Sequence, residues 1–404
     1  MSDVLIIGGG AAGLTAAIAA AMHGDRVTVL ERMDRVGKKI LATGNGRCNL
    51  MNVGRPCYPG GTALAQSVLE RCGVEEQTAF WRHLGLRLRV EDGGRVYPVS
   101  GQASSVLDSL RLALDAYGVE VITGVHVEDI TRGKRGFNVI GAGNRWTADR
   151  VIIAGGGCAQ PKLGSNGSTW KLLKYAGHHI VEPKPCLTQI VTDTAPIRGL
   201  SGIRVRCNLR IKDGSRVLHE ETGEALFADY GVSGVCAMQC ARYVYPGCSL
   251  HMDFAQGMGF QDAEELRQEL FRRRKVWGNL PVEALLTGLC VPRLSQAILH
   301  AAEIPMRGVC VQLTNKQLDA VVRKIMDFPL EVRGVKGFDS AQVSSGGAAC
   351  SEFRPDTLES IRCPGLHAAG EVLDVDGDCG GFNLMFAFGS GILAGLNGRN
   401  MPWR

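Results

Sequence analysis

The stretch VLIIGGGAAGLTAAIAAAM at residues 4–22 decides the fold. Val4 to Ile7 read as a buried strand, Gly8 to Gly10 as a tight turn and Ala11 to His23 as a helix; Arg26 to Leu30 form a second strand that ends in Glu31. This is a βαβ unit carrying Gly8-x-Gly10-x-x-Gly13. In such a unit the first glycine makes the turn, the second lets the backbone approach a pyrophosphate, and the third brings helix against strand. The phosphate rests on the free N–H groups of the helix start. Glu31, 18 residues after Gly13, is placed to accept hydrogen bonds from an adenosine ribose and to repel a 2′-phosphate. The pattern predicts a dinucleotide lying along Gly8, Gly10, Ala11, Ala12, Gly13, Glu31 and the adjoining Arg32. By itself it does not separate FAD from NAD.

The other end of the chain bears on that choice. In AGEVLDVDGDCGGFNLMF, residues 369–386, a strand runs into Gly370-Glu371, acids follow at Asp374, Asp376 and Asp378, and Gly380-Gly381 precede an apolar helix that begins near Asn383. A helix N-terminus aimed at an isoalloxazine stabilises negative charge on the reduced ring. A calcium-like acidic loop and a plain Gly-capped helix are the competing readings. Residues 4–22 and 379–398 are both long and uncharged enough to imitate membrane spans, but glycine clusters break them and basic anchors are missing, so a buried strand and helix explain each.

Between the ends the texture changes several times. Residues 37–52 (GKKILATGNGRCNLMN) read as a long polar loop without regular structure, of the kind that carries function. Helical spacing returns at Glu75 to Leu84 and from Val106 to Leu114, and short strands follow at 119–122, 125–130, 136–140 and 146–153, forming a small antiparallel sheet beside the parallel one. The last of them leads into Ala154-Gly155-Gly156-Gly157. Turns at Lys212-Asp213-Gly214 and Thr222-Gly223 mark a β-rich module. Helices follow, from Asp262, from Pro292, and from Thr314 with Gln317 in capping-box relation. The expected domains are 1–187, first part of the cofactor domain; 188–260, β-rich; 261–328, helical; 329–340, a return segment; and 341–404, the rest of the first domain.

Composition narrows the function. The net charge of +5 is too small for a dedicated nucleic-acid surface, and the densest basic run, Arg272 to Lys275, sits late on a helix, where it complements the helix dipole. Fourteen cysteines are scattered without CxxC pairs or zinc spacing, which suits reduced thiols in a cytoplasmic protein and no metal site. Cys236 and Cys240 share a helix face and read first as core residues, with redox or metal chemistry as the alternative. The nine histidines have no matching catalytic partner in sequence, and no Ser/His/Asp order or Walker lysine occurs. Tyr230 and Cys48 are better-placed candidates, and the catalytic acid or base is left unassigned.

Seven blocks together resemble the HI0933-like flavoprotein family: GGGAAGL at 8–14, GKKILATGNGRCN at 37–49, GRVYPVS at 94–100, the strand into Ala154-Gly155-Gly156, Tyr230 to Gly234, AQVSSGG at 341–347 and AGEVLDVDGDCGGFNL at 369–384. The resemblance implies an α/β fold, in which a Rossmann-like FAD-binding domain of the two-dinucleotide-binding-domain flavoprotein type is built from both chain ends and interrupted by a β-barrel-like module and a helical subdomain. By matching motifs it puts Ala12 and Gly13 at the pyrophosphate and Glu31 at the ribose. Lys39, Ile40, Gly46, Arg47, Cys48 and Asn49 would lie along the cofactor, with Val127 near the adenine. Gly155, Gly156, Gly370, Glu371, Asp378, Gly381, Phe382, Asn383 and Leu384 complete the expected contacts, the last group at the ribityl and flavin end. Arg47 also reads as a charge partner for phosphate or reduced flavin. The chain departs from the family pattern at Ala159-Gln160, Ala228-Asp229 and Met385-Phe386, which leaves the substrate open.

The expected activity is hydride transfer between a small organic substrate, or NAD(P)H, and flavin N5, as reductase or oxidase. Gly141-Ala142-Gly143 lacks a third glycine and sits in a hairpin, so any nicotinamide would bind transiently. Competing readings are a flavoprotein that binds or modifies RNA, a flavin-free NAD dehydrogenase and a non-catalytic flavin scaffold.

Overall fold

Strands Asp3–Ile7 and Arg26–Leu30 flank helix Ala11–Ala21, so the N-terminal βαβ unit forms as its periodicity requires. The computed structural model describes residues 1–133 and 136–403. Five parallel strands make the central sheet in the order 366–368, 150–153, 3–7, 26–30 and 120–122. The chain moves outward to one side of Asp3–Ile7 and later returns on its other side. The crevice above the carboxyl ends of Asp3–Ile7 and Arg150–Ile153 is therefore the switch point, where open α/β sheets bind ligands.

Contact density divides the chain into two units, residues 1–185 with 341–404 and residues 186–340. The first is closed by its own ends. Helix Phe382–Leu396 lies against helix Ala11–Ala21 so closely that a Cβ on Gly391 would fall 2.2 Å from the Ala12 carbonyl oxygen, and one on Gly395 2.3 Å from that of Ala16. Only hydrogen at these two positions permits the approach. Thr15 Oγ1 sits between the helices, donating to one of the carbonyls of Ala11, Ala12 and Phe388, all within 3.3 Å.

In the second unit, strands 190–192, 231–233, 216–228, 204–213, 249–253 and 328–335 close a six-stranded barrel. Helices Ala263–Val276, Pro292–Ala301 and Asn315–Met326 share one apolar core with it, from Leu209 and Phe227 to Leu266 and Ile325. Strand Phe328–Val335 runs from the last residue of the expected helical segment into the expected return segment and pairs with both 190–192 and 249–253. Its Pro329 is the second residue of the strand, opposite His251.

Several local expectations need correction. Residues 37–52 are not wholly irregular: Lys38–Ala42 form a helical turn, Thr43–Gly46 a 3-10 turn, and Met51–Asn52 a short strand. Gly37, at positive φ, leads into the first of these pieces, and Gly44, also at positive φ, bends the second. The run 146–153 is two strands broken at Asp149, the second of which joins the parallel sheet, as does 120–122. Thr222-Gly223 is no turn; it lies inside strand Arg216–Ala228, with Gly223 paired to Cys207. The C-terminal strand stops at Ala368, and Gly370–Val372 form a 3-10 turn. Gly141-Ala142-Gly143 does lie in the hairpin between 137–141 and 144–148, with Ala142 and Gly143 both at positive φ as a tight primed turn demands. No described helix is long and apolar enough to cross a membrane.

Candidate cofactor and active site

The three motif glycines answer to different neighbours. Gly8 has φ 107°, and a Cβ there would lie 2.5 Å from the Ala154 carbonyl oxygen, the exit of the neighbouring strand. A Cβ on Gly13 would lie 1.9 Å from the Gly8 oxygen, so this glycine serves helix-to-strand packing. Gly10 is different: it has ordinary extended backbone (φ −90°, ψ −166°), and a Cβ built on it meets no protein atom within 4 Å. Nothing in the chain's own packing requires glycine there. Its bare face borders the first turn of helix Ala11–Ala21, which no side chain caps. Uncapped N–H groups at a helix start, beside a position kept clear of side chain, fit a bound pyrophosphate.

Glu31 turns its carboxylate back on this loop, accepting from the Gly9 amide at 2.6 Å and the Met33 amide at 2.7 Å. Each oxygen keeps lone-pair capacity for a hydroxyl. Arg32 donates to the Gly164 carbonyl. Val127 is buried in the three-stranded sheet, two residues after Val125, whose amide donates to the Glu31 carbonyl.

A second cluster stands beyond strand Arg150–Ile153. Lys39 Nζ meets Glu371 Oε2 at 2.7 Å, and Glu371 Oε1 accepts from the Ser344 amide at 2.8 Å and lies 3.1 Å from Ser344 Oγ. Ser344 Oγ in turn accepts from the amides of Cys158 and Ala159 at 2.7 and 3.1 Å. The hydroxyl hydrogen is left for Glu371. Gly157 must be small here, because its Cβ would lie 2.6 Å from Ser344 Oγ. Gly155 packs against Thr169, and Gly156, at φ 74°, against Ser165. Gly370 donates its amide to Ser390 Oγ and faces Ala12, joining the two chain ends at one point. Ser344 was not among the residues read from sequence; a serine pair in an otherwise apolar and glycine-rich strand was the signal available.

At the other helix tip, Gly381 (φ 108°) approaches the Met51 carbonyl, where a Cβ would come within 2.5 Å. Asn383 folds residues 377–383 on themselves, accepting from the Gly377 amide at 2.8 Å and donating to the Gly377 carbonyl at 2.8 Å. Asp378 donates its amide to the Cys57 carbonyl. Asn52 and Tyr58, also missed, brace this turn: Asn52 Nδ2 donates to the Gly380 carbonyl, and Tyr58 Oη to that of Phe382 at 2.7 Å. Phe382 is buried and Leu384 half-buried in the same core. Met385 and Phe386, which depart from the family pattern, are buried core residues.

The GNGRCN segment is fixed by its own contacts. Arg47 donates to Glu91 at 2.6 Å, and its guanidinium lies 4.1 Å from the centroid of the Tyr97 ring. Arg47, with Arg89 also at 2.7 Å, holds the Glu91 carboxyl below the usual range. Ile40 and Cys48 are buried, Gly46 has φ 81°, and Asn49 Oδ1 accepts from the Val96 amide. Burial pushes the Cys48 thiol up to about 12, so it is no thiolate at neutral pH. Tyr230 belongs to the second unit, in the turn before Gly231–Ser233, with Lys336 Nζ 4.3 Å from its ring centroid.

Several histidines have partners that sequence spacing hid. His178 bridges Glu352 at 2.7 Å and Ser360 at 2.8 Å, which reproduces the atom types of a hydrolytic triad. Its side chain is 0% exposed, and Ser360 Oγ also accepts two backbone amides. No substrate reaches it; it is a clasp. Among the described residues no group of three or more acid, histidine or cysteine side chains is arranged to hold a metal.

Fold and crevice define the class: a Rossmann-like, FAD-dependent oxidoreductase with an inserted barrel and helices. The family model for the HI0933-like protein Rossmann domain matches residues 2–397, and the chain belongs to that family. It is 37% identical to a 3-dehydro-bile acid delta(4,6)-reductase of Clostridium scindens, over 100% of both chains. It is 25% identical to a ribosomal RNA dihydrouridine synthase of Haemophilus influenzae, over 98% of each. Among solved structures it aligns with an open-conformation flavocytochrome c3 fumarate reductase at 17% identity, with a TM-score of 0.49, covering 98% of this chain and 78% of that one.

Proposed function

We propose that this protein binds one FAD across the switch-point crevice and uses it to reduce a carbon–carbon double bond conjugated to a carbonyl in a small organic molecule, with NAD(P)H as a transient donor. The observation that carries the reading is the pair of helix starts. Helices Ala11–Ala21 and Phe382–Leu396 run parallel, with Gly391 beside Ala12 and Gly395 beside Ala16. At the α-helical rise the second tip stands about 12 Å beyond the first on the same side. Two positive ends so staggered suit a dinucleotide whose phosphates sit at one tip and whose reducible ring sits at the other.

In this reading the amides of Ala11 to Gly13 hold the pyrophosphate and Glu31 the adenosine ribose, while Val127 lies toward the adenine side. Lys39 and Glu371, braced by Ser344, line the middle of the cofactor. The turn Asp378 to Leu384, locked by Asn383, Asn52 and Tyr58, presents the helix start to the ring. Arg47 orients the GNGRCN segment through Glu91 and Tyr97. When bound, FAD supplies the two-electron step, passing a hydride at N5. The chain's own part is to bind, to orient and to stabilise negative charge at the second helix tip.

The substrate class rests on the relatives. A delta(4,6)-reductase of a 3-dehydro-bile acid and a dihydrouridine synthase both bear names that describe hydrogenating a double bond next to a carbonyl. A second reading, action on RNA, is favoured by the dihydrouridine synthases of Haemophilus influenzae and Escherichia coli. The basic run speaks against it. Arg272 and Arg273 are paired with Glu269, Arg273 also donates to the Leu285 and Thr287 carbonyls, and Arg274 is spent on Leu313 and Asn315.

Anaerobic titration of the FAD-loaded protein with NADH and NADPH, followed by conjugated enones, tests the proposal. Flavin bleaching by a nicotinamide, and its return with an enone that gains two hydrogens, is expected. No bleaching by either nicotinamide, or a bleached flavin that no enone restores, would overturn it. Salt-dependent retention of RNA would favour the second reading.

A further inference from the structure

Strand Arg204–Asp213 and strand Arg216–Ala228 form the long hairpin of the barrel, in which Cys207 stands directly opposite Gly223. Residues so paired point to the same face, with Cβ positions roughly 4.5 to 5.5 Å apart. Helix Val235–Cys240 lies over that face. A Cβ on Gly223 would meet the Cys236 Cβ at 3.3 Å and its Sγ at 3.8 Å. The missing side chain at Gly223 is thus the seat of Cys236, and it brings that thiol over the strand pair beside Cys207. Cys236 Sγ donates to the Glu224 carbonyl oxygen at 3.2 Å. Cys240, one turn further along the same helix, completes a buried group of three thiols, all reduced in this structure.

We propose that Cys207 and Cys236 are a redox pair that closes to a disulfide when the protein meets a peroxide, pinning helix Val235–Cys240 to the barrel hairpin. Core packing explains a buried cysteine but not this arrangement, in which a glycine in mid-strand seats one thiol against another. The roles of the two differ. Cys236 is the nucleophile: it stands on a short helix beside the exposed Val235, whereas Cys207 lies in mid-strand, and the interaction of the two thiols lowers Cys236 and raises Cys207. Its thiolate attacks one peroxide oxygen and hydroxide leaves, which gives a sulfenic acid. The Cys207 sulfur then attacks the Cys236 sulfur, its proton and the departing hydroxyl leaving as water. Two thiols and one hydrogen peroxide give one disulfide and two waters, so atoms and electrons balance. Cys240 is raised by burial and by the neighbouring Glu221 and Cys236 charges, and takes no part.

The test uses the full-length protein. The native chain is exposed to hydrogen peroxide, quenched, denatured, alkylated, digested and mapped by mass spectrometry without reduction. A peptide pair joining Cys207 to Cys236, two hydrogens lighter than the free thiols, is expected, together with an alkylated Cys240. The pair disappears on reduction and does not form in Cys207→Ser, in which Cys236 remains as sulfenic or sulfinic acid. Full alkylation of both thiols after peroxide treatment would overturn the proposal, as would a Cys236–Cys240 bond in their place.

Discussion

Replacing Gly10 and Gly13 separately by alanine tells a ligand-facing glycine from a packing one. At Gly10 the backbone is extended and the added methyl meets nothing within 4 Å. Alanine there leaves the unliganded protein as stable as before, or up to about 1 kcal/mol more stable, because a Gly-to-Ala change at a compatible position restricts the unfolded chain. The same methyl stands where phosphate oxygens must come. Losing one charge-assisted hydrogen bond from the first turn costs about 1.5 to 3 kcal/mol, which is a rise in the FAD dissociation constant of roughly 10- to 150-fold. At Gly13 the methyl would lie 1.9 Å from the Gly8 oxygen and 3.1 Å from its carbon, both backbone atoms that cannot swing aside. The expected loss is about 1 to 3 kcal/mol or more of stability before any ligand is added. Thermal unfolding of flavin-free protein, paired with fluorescence titration by FAD at one ionic strength, reads both quantities. Should Gly10→Ala take up FAD like the parent, or melt like Gly13→Ala, the assignment of that face to a pyrophosphate is wrong.

Gly391→Ala forces helix Phe382–Leu396 away from helix Ala11–Ala21, where the clash is with the Ala12 oxygen and Thr15 Oγ1; about 1 to 3 kcal/mol of stability should go, together with FAD affinity, as urea unfolding and flavin titration would show. Asp25 is buried between Arg150 at 3.0 Å and Arg399 at 2.6 Å; Asp25→Ala leaves Arg150 unpaired and should cost about 3 to 5 kcal/mol. Burial raises the Asp25 carboxyl, but the Arg399 and Arg150 guanidiniums and the Ser2 amide together bring it below its ordinary value. Its stabilisation is therefore complete above the unfolded pKa of about 3.9 and is lost as pH falls through the lower folded value, which a urea midpoint series under acid would follow. His178 is depressed by burial, against the pull of Glu352, so its term is present above the unfolded value of about 6.5 and fades as pH falls below it; Ser360→Ala should lower the melting temperature without changing flavin reduction. Cys48→Ser should keep flavin reduction, and native Cys48 should resist alkylation at mildly alkaline pH.

What the sequence disclosed was what local chemistry encodes. The βαβ unit announces itself through an apolar run, a glycine turn and a helix, and the caps at Asp262 and Thr314 form as their spacing implies, each accepting from the amide three residues on. The hidden parts depend on partners far along the chain. Ser344 matters because Glu371, Cys158 and Ala159 converge on it, and no window of sequence contains all four. Gly223 looks like a turn because glycine usually breaks a strand; here the strand continues, since the small residue seats Cys236 from the helix above. The motif gives Gly8, Gly10 and Gly13 different tasks, and the structure separates them by what stands against each. Two of them are glycine because the protein's own backbone fills the space a side chain would need. The third is glycine where the protein leaves the space empty, so the demand on it comes from outside the polypeptide, and that is why Gly10 speaks for a ligand more directly than the rest of the motif.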